Sequence, residues 1–408
     1  MADWTKLAQE HPRYKQLAQK YSEPRPRRLL SLDGGGIRGV ITLQVLAELE
    51  RQLKEKTGGG DEFRLGDYFD YIGGTSTGAI IASALAYGHS VKEIADLYDS
   101  LGKRMFQKPW NPLKQLWYKY QSEPLIEQLR EIFGKDEDGD DFKLGSGQLR
   151  CLLLLVLRNV STDSPWPISN NPFARYNIGE GADYGAKRSN LFVPLHQLVR
   201  ASTAAPTFFA PQEIEVSSKS SVKKFKFEDG GVTPYNNPAF LLYRMATVAS
   251  YNLAWEKGED KLLLVSIGTG AAPRLQENLG ANFLLNNAAL IPNALMYGAL
   301  IDQDINCRMT GRCVHGSKLD SELGDLIPPA TTGTGGPTFT PRPGNERAFI
   351  YARYNAELSP GWFKDHGFAG LDPEVVGKLD STDHIEDLRR IGLKVAEEVD
   401  VSKFGSVV

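Results

Sequence analysis

The stretch Tyr68–Tyr87, YFDYIGGTSTGAIIASALAY, runs from an apolar strand pattern through glycines and hydroxyls into small apolar residues. Tyr68 to Gly73 reads as a strand and Gly74-Thr75-Ser76-Thr77-Gly78 as a sharp turn. Ala79 to Tyr87 reads as a fully buried helix, stopped by Gly88. Ser76 thus stands in a G-x-S-x-G turn between strand and helix, the form of a nucleophile elbow. Such a serine needs neighbours without side chains, so that the turn can close and a substrate can approach. The helix that follows adds its positive N-terminal dipole and free N–H groups, which favour negative charge beside the serine.

A second unit of the same kind lies upstream. Arg27 to Asp33 reads as a buried strand, followed by the loop Asp33-Gly34-Gly35-Gly36-Ile37-Arg38-Gly39. Leu43, Leu46, Leu49 and Leu53 then mark one face of a helix that Thr57-Gly58-Gly59-Gly60 ends. Cys151–Leu157 (CLLLLVL) and Lys261–Ile267 (KLLLVSI) are continuous apolar runs, as in strands covered on both faces. The pattern predicts an α/β fold with helices on both sides of a sheet.

The glycines at 34, 36 and 39 also fit G-x-G-x-x-G, which raises a dinucleotide-binding oxidoreductase as one alternative. That fingerprint requires an acidic residue about twenty positions on, at the end of a second strand. Here that count reaches Lys54 and Glu55, inside the predicted helix, and the reading leaves Ser76 unused.

Composition narrows the field. The chain has 408 residues, 41% hydrophobic and 24% charged, with a net charge of −3, which offers no electrostatic footprint for a nucleic acid polymer. The length predicts one large core with insertions or two domains. Cys151, Cys307 and Cys313 show no C-x-x-C spacing; Cys307 and Cys313 could bridge, but reduced thiols in a cytosolic compartment are the simpler expectation. The polar N-terminus lacks the apolar core of a signal peptide, and the longest apolar run, Cys151–Leu157, is far short of a membrane span.

An elbow serine needs a base. Of the six histidines, His89 follows the helix after Ser76 at a distance of roughly 18 Å. His196 lies in an amphipathic segment and reads as a packed helix residue. His11, His315, His366 and His384 sit in stretches without catalytic context. A carboxylate is better placed: Phe225–Gly231 (FKFEDGG) reads as a strand ending in Asp229-Gly230-Gly231, where two glycines admit close backbone approach.

Together these residues resemble the patatin-like phospholipases, or lipid acyl hydrolases. The D-G-G-G-x-R-G loop at Asp33–Gly39, the G-T-S-T-G elbow at Gly74–Gly78 and the D-G-G motif at Asp229–Gly231 stand in the family's order. Ala201–Phe209 (ASTAAPTFF) and Ser266–Gly270 resemble two further family segments, and Tyr351–Tyr354 a late family strand. The resemblance implies a three-layer sandwich with a mainly parallel sheet and a Ser76–Asp229 dyad. It implies an oxyanion loop of Gly34, Gly35 and Gly36, with Arg38 adding positive charge or holding the loop and Asp33 fixing it. It implies no cofactor and no metal.

A free aspartate ionises near 3.9, too low for a good base at neutral pH, so burial must raise Asp229. The substrate class implied is membrane glycerophospholipid, approached from a cytoplasmic location as a peripheral enzyme. A cyclic-nucleotide activator in antiviral defence and a homo-oligomeric assembly are the other partners the resemblance raises. A non-catalytic lipid-binding or storage protein on the same fold is the second alternative.

The domain reading is a polar lead-in over 1–26, a catalytic core over 27–272, and a C-terminal extension over 273–408 with a mobile loop near 328–344. Lys135–Asp141 (KDEDGDD) lacks the glycine and glutamate positions of a calcium loop and reads as a solvated turn. Met105–Tyr120 mixes aromatics and lysines, as in a partly buried helical insertion or an interfacial lid. The Lys219–Lys226 cluster reads as an exposed hairpin edge.

Overall fold

Leu152, Leu154 and Val156 pack into one hydrophobic cluster, while Leu153, Leu155 and Leu157 pack into another. That division is the period-two geometry of a strand with both faces covered, and it accounts for the unbroken apolar run. Leu262 and Leu264 against Leu263, Val265 and Ile267 divide the same way. The two clusters are the two cores of an α/β sandwich.

The computed structural model describes residues 2–105, 118–178, 187–217, 222–271, 284–328 and 346–408. Its strands are β1 Arg27–Leu32, β2 Tyr71–Thr75, β3 Leu152–Asn159, β4 Ser164–Ser169, β5 Gln212–Ser217, β6 Val222–Asp229, β7 Leu262–Ile267, β8 Arg312–His315 and β9 Ile350–Tyr354. Among the described residues these form one sheet in the order β5-β6-β3-β2-β1-β7-β9-β8, with β4 also pairing β3. Pairing is parallel from β3 through β2, β1, β7 and β9 to β8, and antiparallel at β3–β4, β3–β6 and β5–β6.

One face is covered by the helices Gly39–Thr57, Thr77–Tyr87 and Ile385–Ala396, the other by Ala239–Thr247 and the N-terminal helices. Residues 1–26, expected as a lead-in, contain helices Trp4–Glu10 and Lys15–Ser22, which bury Trp4, Leu7, Leu17 and Tyr21. β8 and β9 extend the sheet beyond residue 272.

β2 begins at Tyr71, three residues later than the sequence pattern predicts, and Leu65–Tyr68 is instead a short helical turn. The physical cause is Asp70. Its buried carboxylate receives both Arg25 nitrogens, at 2.5 and 3.1 Å, and the Arg28 backbone N–H at 2.8 Å. That cluster pins the start of β2 to the start of β1. Of the Lys219–Lys226 cluster, residues 222–226 lie in β6, paired with β5, with Lys223 and Lys224 exposed, and residues 219–221 lie outside the described residues. In the Met105–Tyr120 stretch, residues 106–117 lie outside the described residues, as do 329–344 of the Pro/Gly/Thr-rich loop.

At the carboxyl end of β1, Asp33 is fully buried and paired with Arg353 of β9. Nη1 donates at 2.9 Å and Nη2 at 2.5 Å, and Nη1 also donates to Ser266 Oγ at 2.7 Å. Removing one partner of such a pair leaves an uncompensated buried charge. Arg353→Met is therefore expected to lower the unfolding free energy by about 3–5 kcal/mol in urea titrations. The double variant with Asp33→Leu should recover much of that loss; a single variant as stable as wild type would contradict the assignment.

Candidate active site

Ser76 follows β2 directly and precedes the Thr77–Tyr87 helix. Its φ of 54° and ψ of −122° lie in a region that side chains disfavour, at a cost of about 1–3 kcal/mol. Two features hold it there. The Ser76 N–H donates to Ser202 Oγ at 2.9 Å, and Ser202 Oγ in turn donates to the Val156 carbonyl at 2.7 Å. Gly74 allows the turn to close, since a Cβ at that position would lie 2.1 Å from the Gly78 carbonyl oxygen.

Asp229 reaches Ser76 from a strand that runs the opposite way. β6 overhangs the sheet, pairing with β3 only through Leu157, Arg158 and Asn159, so its last residue, Asp229, lies opposite Leu157. The Asp229 N–H donates to the Ala204 carbonyl at 3.0 Å. Ser76 Oγ donates to Asp229 Oδ2 at 2.6 Å, and the Gly231 N–H donates to Oδ1 at 2.7 Å. Serine and carboxylate, 153 positions apart in the sequence, are thus joined by one direct hydrogen bond.

Burial raises Asp229 to about 6. The hydrogen bonds from Ser76 and Gly231 and the charge of Arg200 act in the other direction, and nearby Glu228 adds a small upward push. Desolvation wins, because the carboxylate sits where water cannot compensate its charge. No histidine joins the pair. His196 is buried in the Leu195–Ser202 helix, and burial pushes its imidazole below the ordinary value.

The glycine loop closes the other side. The Gly34 N–H donates to the Asn236 carbonyl at 3.0 Å, so the expectation of Gly34 as an oxyanion donor is corrected: that donor is already taken. Gly35 and Gly36 have no protein acceptor for their N–H groups among the described residues. Arg38 holds the loop, donating to the Gly35 carbonyl at 3.3 Å and the Gly270 carbonyl at 3.0 Å. Gly39 opens the Gly39–Thr57 helix. Gly230 accepts from Thr233 N–H and Oγ1, which fixes the turn after Asp229.

Ser76, Asp229 and the loop line one cavity of about 470 Å³. Ile80, Phe208, Phe209, Val232, Met296 and Leu379 supply much of its wall, giving a mainly apolar chamber with a few polar groups. Leu379 also caps the loop, its carbonyl accepting the Ile37 N–H at 2.9 Å. Beside it, Asp380 is bound by Lys119 Nζ and, at 2.8 Å, by the Tyr120 hydroxyl. Lys54 and Glu55 lie in the Gly39–Thr57 helix, away from any strand end of the dinucleotide kind.

Several contributing residues escaped the sequence reading: Ser202, Tyr98, Asn236, Thr269 and Arg353. Tyr98 donates to the Gly36 carbonyl at 2.9 Å and touches Thr77 Oγ1, so one phenol links loop and elbow. Ser202 and Thr269 lie inside the segments 201–209 and 266–270 that resemble family segments, so a signal for them was present. Among the described residues, no group of three or more His, Cys, Asp or Glu side chains is disposed to hold a metal ion. No helix there is long and apolar enough to cross a membrane.

The chain is similar to several known proteins. A family model described as patatin-like phospholipase matches residues 30–243. A cGAMP-activated phospholipase of Vibrio cholerae is 34% identical over 228 residues, 52% of this chain and 56% of the relative. One of the same description from Escherichia coli is 34% identical over 225 residues, 53% and 55% of the two chains. Patatin-17 of Solanum cardiophyllum is 30% identical over 268 residues, 62% and 63%. The aligned stretch thus spans less than two thirds of the length of each relative. With the family match covering just over half of its length, the chain belongs to the patatin-like phospholipase family.

Proposed function

We propose that this protein is a serine lipid acyl hydrolase of the phospholipase A type, cleaving ester-linked fatty acids from membrane glycerophospholipids. The observation that carries the reading is the 2.6 Å contact from Ser76 Oγ to Asp229 Oδ2 at the wall of an apolar cavity. An acyl chain suits the apolar lining of that chamber, and its ester carbonyl suits the polar groups around Ser76.

In this mechanism Ser76 Oγ attacks the ester carbonyl carbon while its proton passes to Asp229. The oxyanion of the tetrahedral intermediate is stabilised by the Gly35 and Gly36 N–H groups, which are held ready before the reaction begins. Collapse breaks the bond to the alkoxy oxygen, and Asp229 returns the proton to the departing lysophospholipid. Water then attacks the acyl-serine, gives its proton to Asp229, and the fatty acid leaves as Ser76 recovers its hydrogen.

The names of the relatives support a regulated version of this activity. Cyclic GMP–AMP or a similar cyclic nucleotide would switch on a cytoplasmic enzyme, which then acts peripherally on membrane phospholipid as an effector of antiviral defence.

Fatty acid release from phospholipid vesicles, followed by mass spectrometry, tests both levels. Ser76→Ala and Asp229→Asn are each expected to reduce release by about a thousandfold or more. Full activity in Asp229→Asn would rule out the dyad, and a wild type that binds lipid without releasing fatty acid would favour a storage protein. Release is expected to be nearly silent until the cyclic nucleotide is added; equal rates with and without it would reject activation by that nucleotide.

The raised Asp229 gives two pH signatures. Asp229 must be ionised to accept a proton, so kcat/KM on a soluble short-chain ester should rise with pH through about 6 and then level off. A profile flat from pH 5 to 8 would contradict this. For stability the sign is opposite, because the folded state holds the proton more tightly than the unfolded chain. Going from 3.8 to about 6 corresponds to roughly 3 kcal/mol of stability, fully present below the lower value and lost as pH rises through the higher. Asp229→Asn should therefore melt above wild type at pH 8, with the difference shrinking toward zero by about pH 4. Equal melting at pH 8 would show that ionising Asp229 costs the fold nothing.

A further inference from the structure

A trans peptide unit is planar, and its N–H and C=O point in opposite directions. The aim of the Gly35 N–H is therefore set by whatever holds the Gly34 carbonyl. That carbonyl accepts Thr269 Oγ1 at 2.8 Å and, at the limit of a hydrogen bond, Asn236 Nδ2 at 3.5 Å. Thr269 is buried and takes no part in the cavity wall, whereas Gly34 and Gly35 do. The Gly35 N–H therefore points away from Thr269; Gly35 lines the cavity, as does Asn236, and its N–H has no protein acceptor among the described residues.

Thr269 is itself held rigidly. The turn after β7 donates its Gly268 N–H to the Tyr354 carbonyl at 2.8 Å and its Gly270 N–H to Asn355 Oδ1 at 2.9 Å. Thr42 Oγ1 donates to the Gly268 carbonyl at 2.9 Å, and Arg38 binds the Gly270 carbonyl. The contact with the loop is close: a Cβ added to Gly35 would lie 2.1 Å from Thr269 Oγ1. A fixed hydroxyl thus bears on a peptide that glycines on either side would otherwise leave free to rotate.

We infer that Thr269 is a positioning residue for the reaction, its hydroxyl aiming the Gly35 N–H at the oxyanion by holding the Gly34 carbonyl. The inference rests on the proposed attack of Ser76 on an ester. Thr269 touches neither substrate nor reacting atoms in this account. Because the oxyanion forms only after attack, losing the aim should weaken transition-state binding while leaving substrate binding unchanged.

The test is the steady-state hydrolysis of a soluble short-chain ester by the full chain, with thermal melting measured in parallel. Thr269→Val keeps the shape and removes the hydroxyl; kcat is expected to fall about 10- to 100-fold with KM within about twofold of wild type. Thr269→Ser restores the hydroxyl and should recover kcat to within about threefold. If the added methyl of valine unsettles the fold, Thr269→Ala against Thr269→Ser isolates the same hydroxyl at equal chain position. The inference is overturned if Thr269→Val or Thr269→Ala retains wild-type kcat. It is equally overturned if Thr269→Ser is as impaired as they are, since the methyl and not the hydroxyl would then matter. Ser76→Ala separates the two levels: an active Ser76→Ala removes the underlying reading, whereas an inactive Ser76→Ala beside an active Thr269→Val removes only this inference.

Discussion

A serine hydroxyl 2.6 Å from a buried carboxylate persists only if both backbones are held in place. Ser76 sits at positive φ, and Asp229 ends a strand that overhangs the sheet. One short segment restrains both, with the Ser202 hydroxyl holding the Ser76 N–H and the Ala204 carbonyl holding the Asp229 N–H. The distance between Ser76 and Asp229 is thereby fixed by a third element whose own hydroxyl is anchored to β3 at Val156. Strain at the elbow is tolerable because strand β2, the Thr77–Tyr87 helix and this segment together over-determine its conformation.

Two buried aspartates stand near the chamber, and their surroundings give them different chemistry. Asp33 is bidentately paired with Arg353 and bears on the loop through backbone geometry alone. Burial raises both carboxyls; at Asp33 the contacting Arg353 guanidinium opposes it, whereas Asp229 has no cation in direct contact among the described residues and Arg200 acts on it only through space. Arg200 is itself almost fully buried, stacked on Phe209 and bound to Ser122 Oγ and the Ala210 carbonyl. The fully paired acid is structural and the under-compensated one is suited to carry a proton, a division of labour set by environment rather than residue type.

Much of this was legible in the chain. The strand-turn-helix around Ser76, the strand at 262–267 and the helix after the glycine loop follow from periodicity and from glycine placement. The D-G-G turn after a strand named Asp229 because no histidine had a better claim. What stayed hidden depends on contacts between distant segments. β2 starts late because Arg25 and the Arg28 N–H meet Asp70, and no local pattern announces that meeting. The family resemblance implies Gly34, Gly35 and Gly36 together as oxyanion donors and does not distinguish among them. Only the approach of Asn236, some two hundred residues on, removes its N–H from service. Arg353 reads as one residue of a late strand until β9 pairs with β7 and carries its guanidinium to Asp33.

The account's central claim is that Ser76, activated by Asp229, is the nucleophile. The most direct measurement is peptide mapping of the intact protein after reaction with a fluorophosphonate, in which a serine oxygen bonds to phosphorus and fluoride departs. The account predicts a single adduct on the peptide containing Ser76, with its formation rate strongly reduced in Asp229→Asn. An adduct at another residue, or labelling of Ser76 at an undiminished rate in Asp229→Asn, would contradict it.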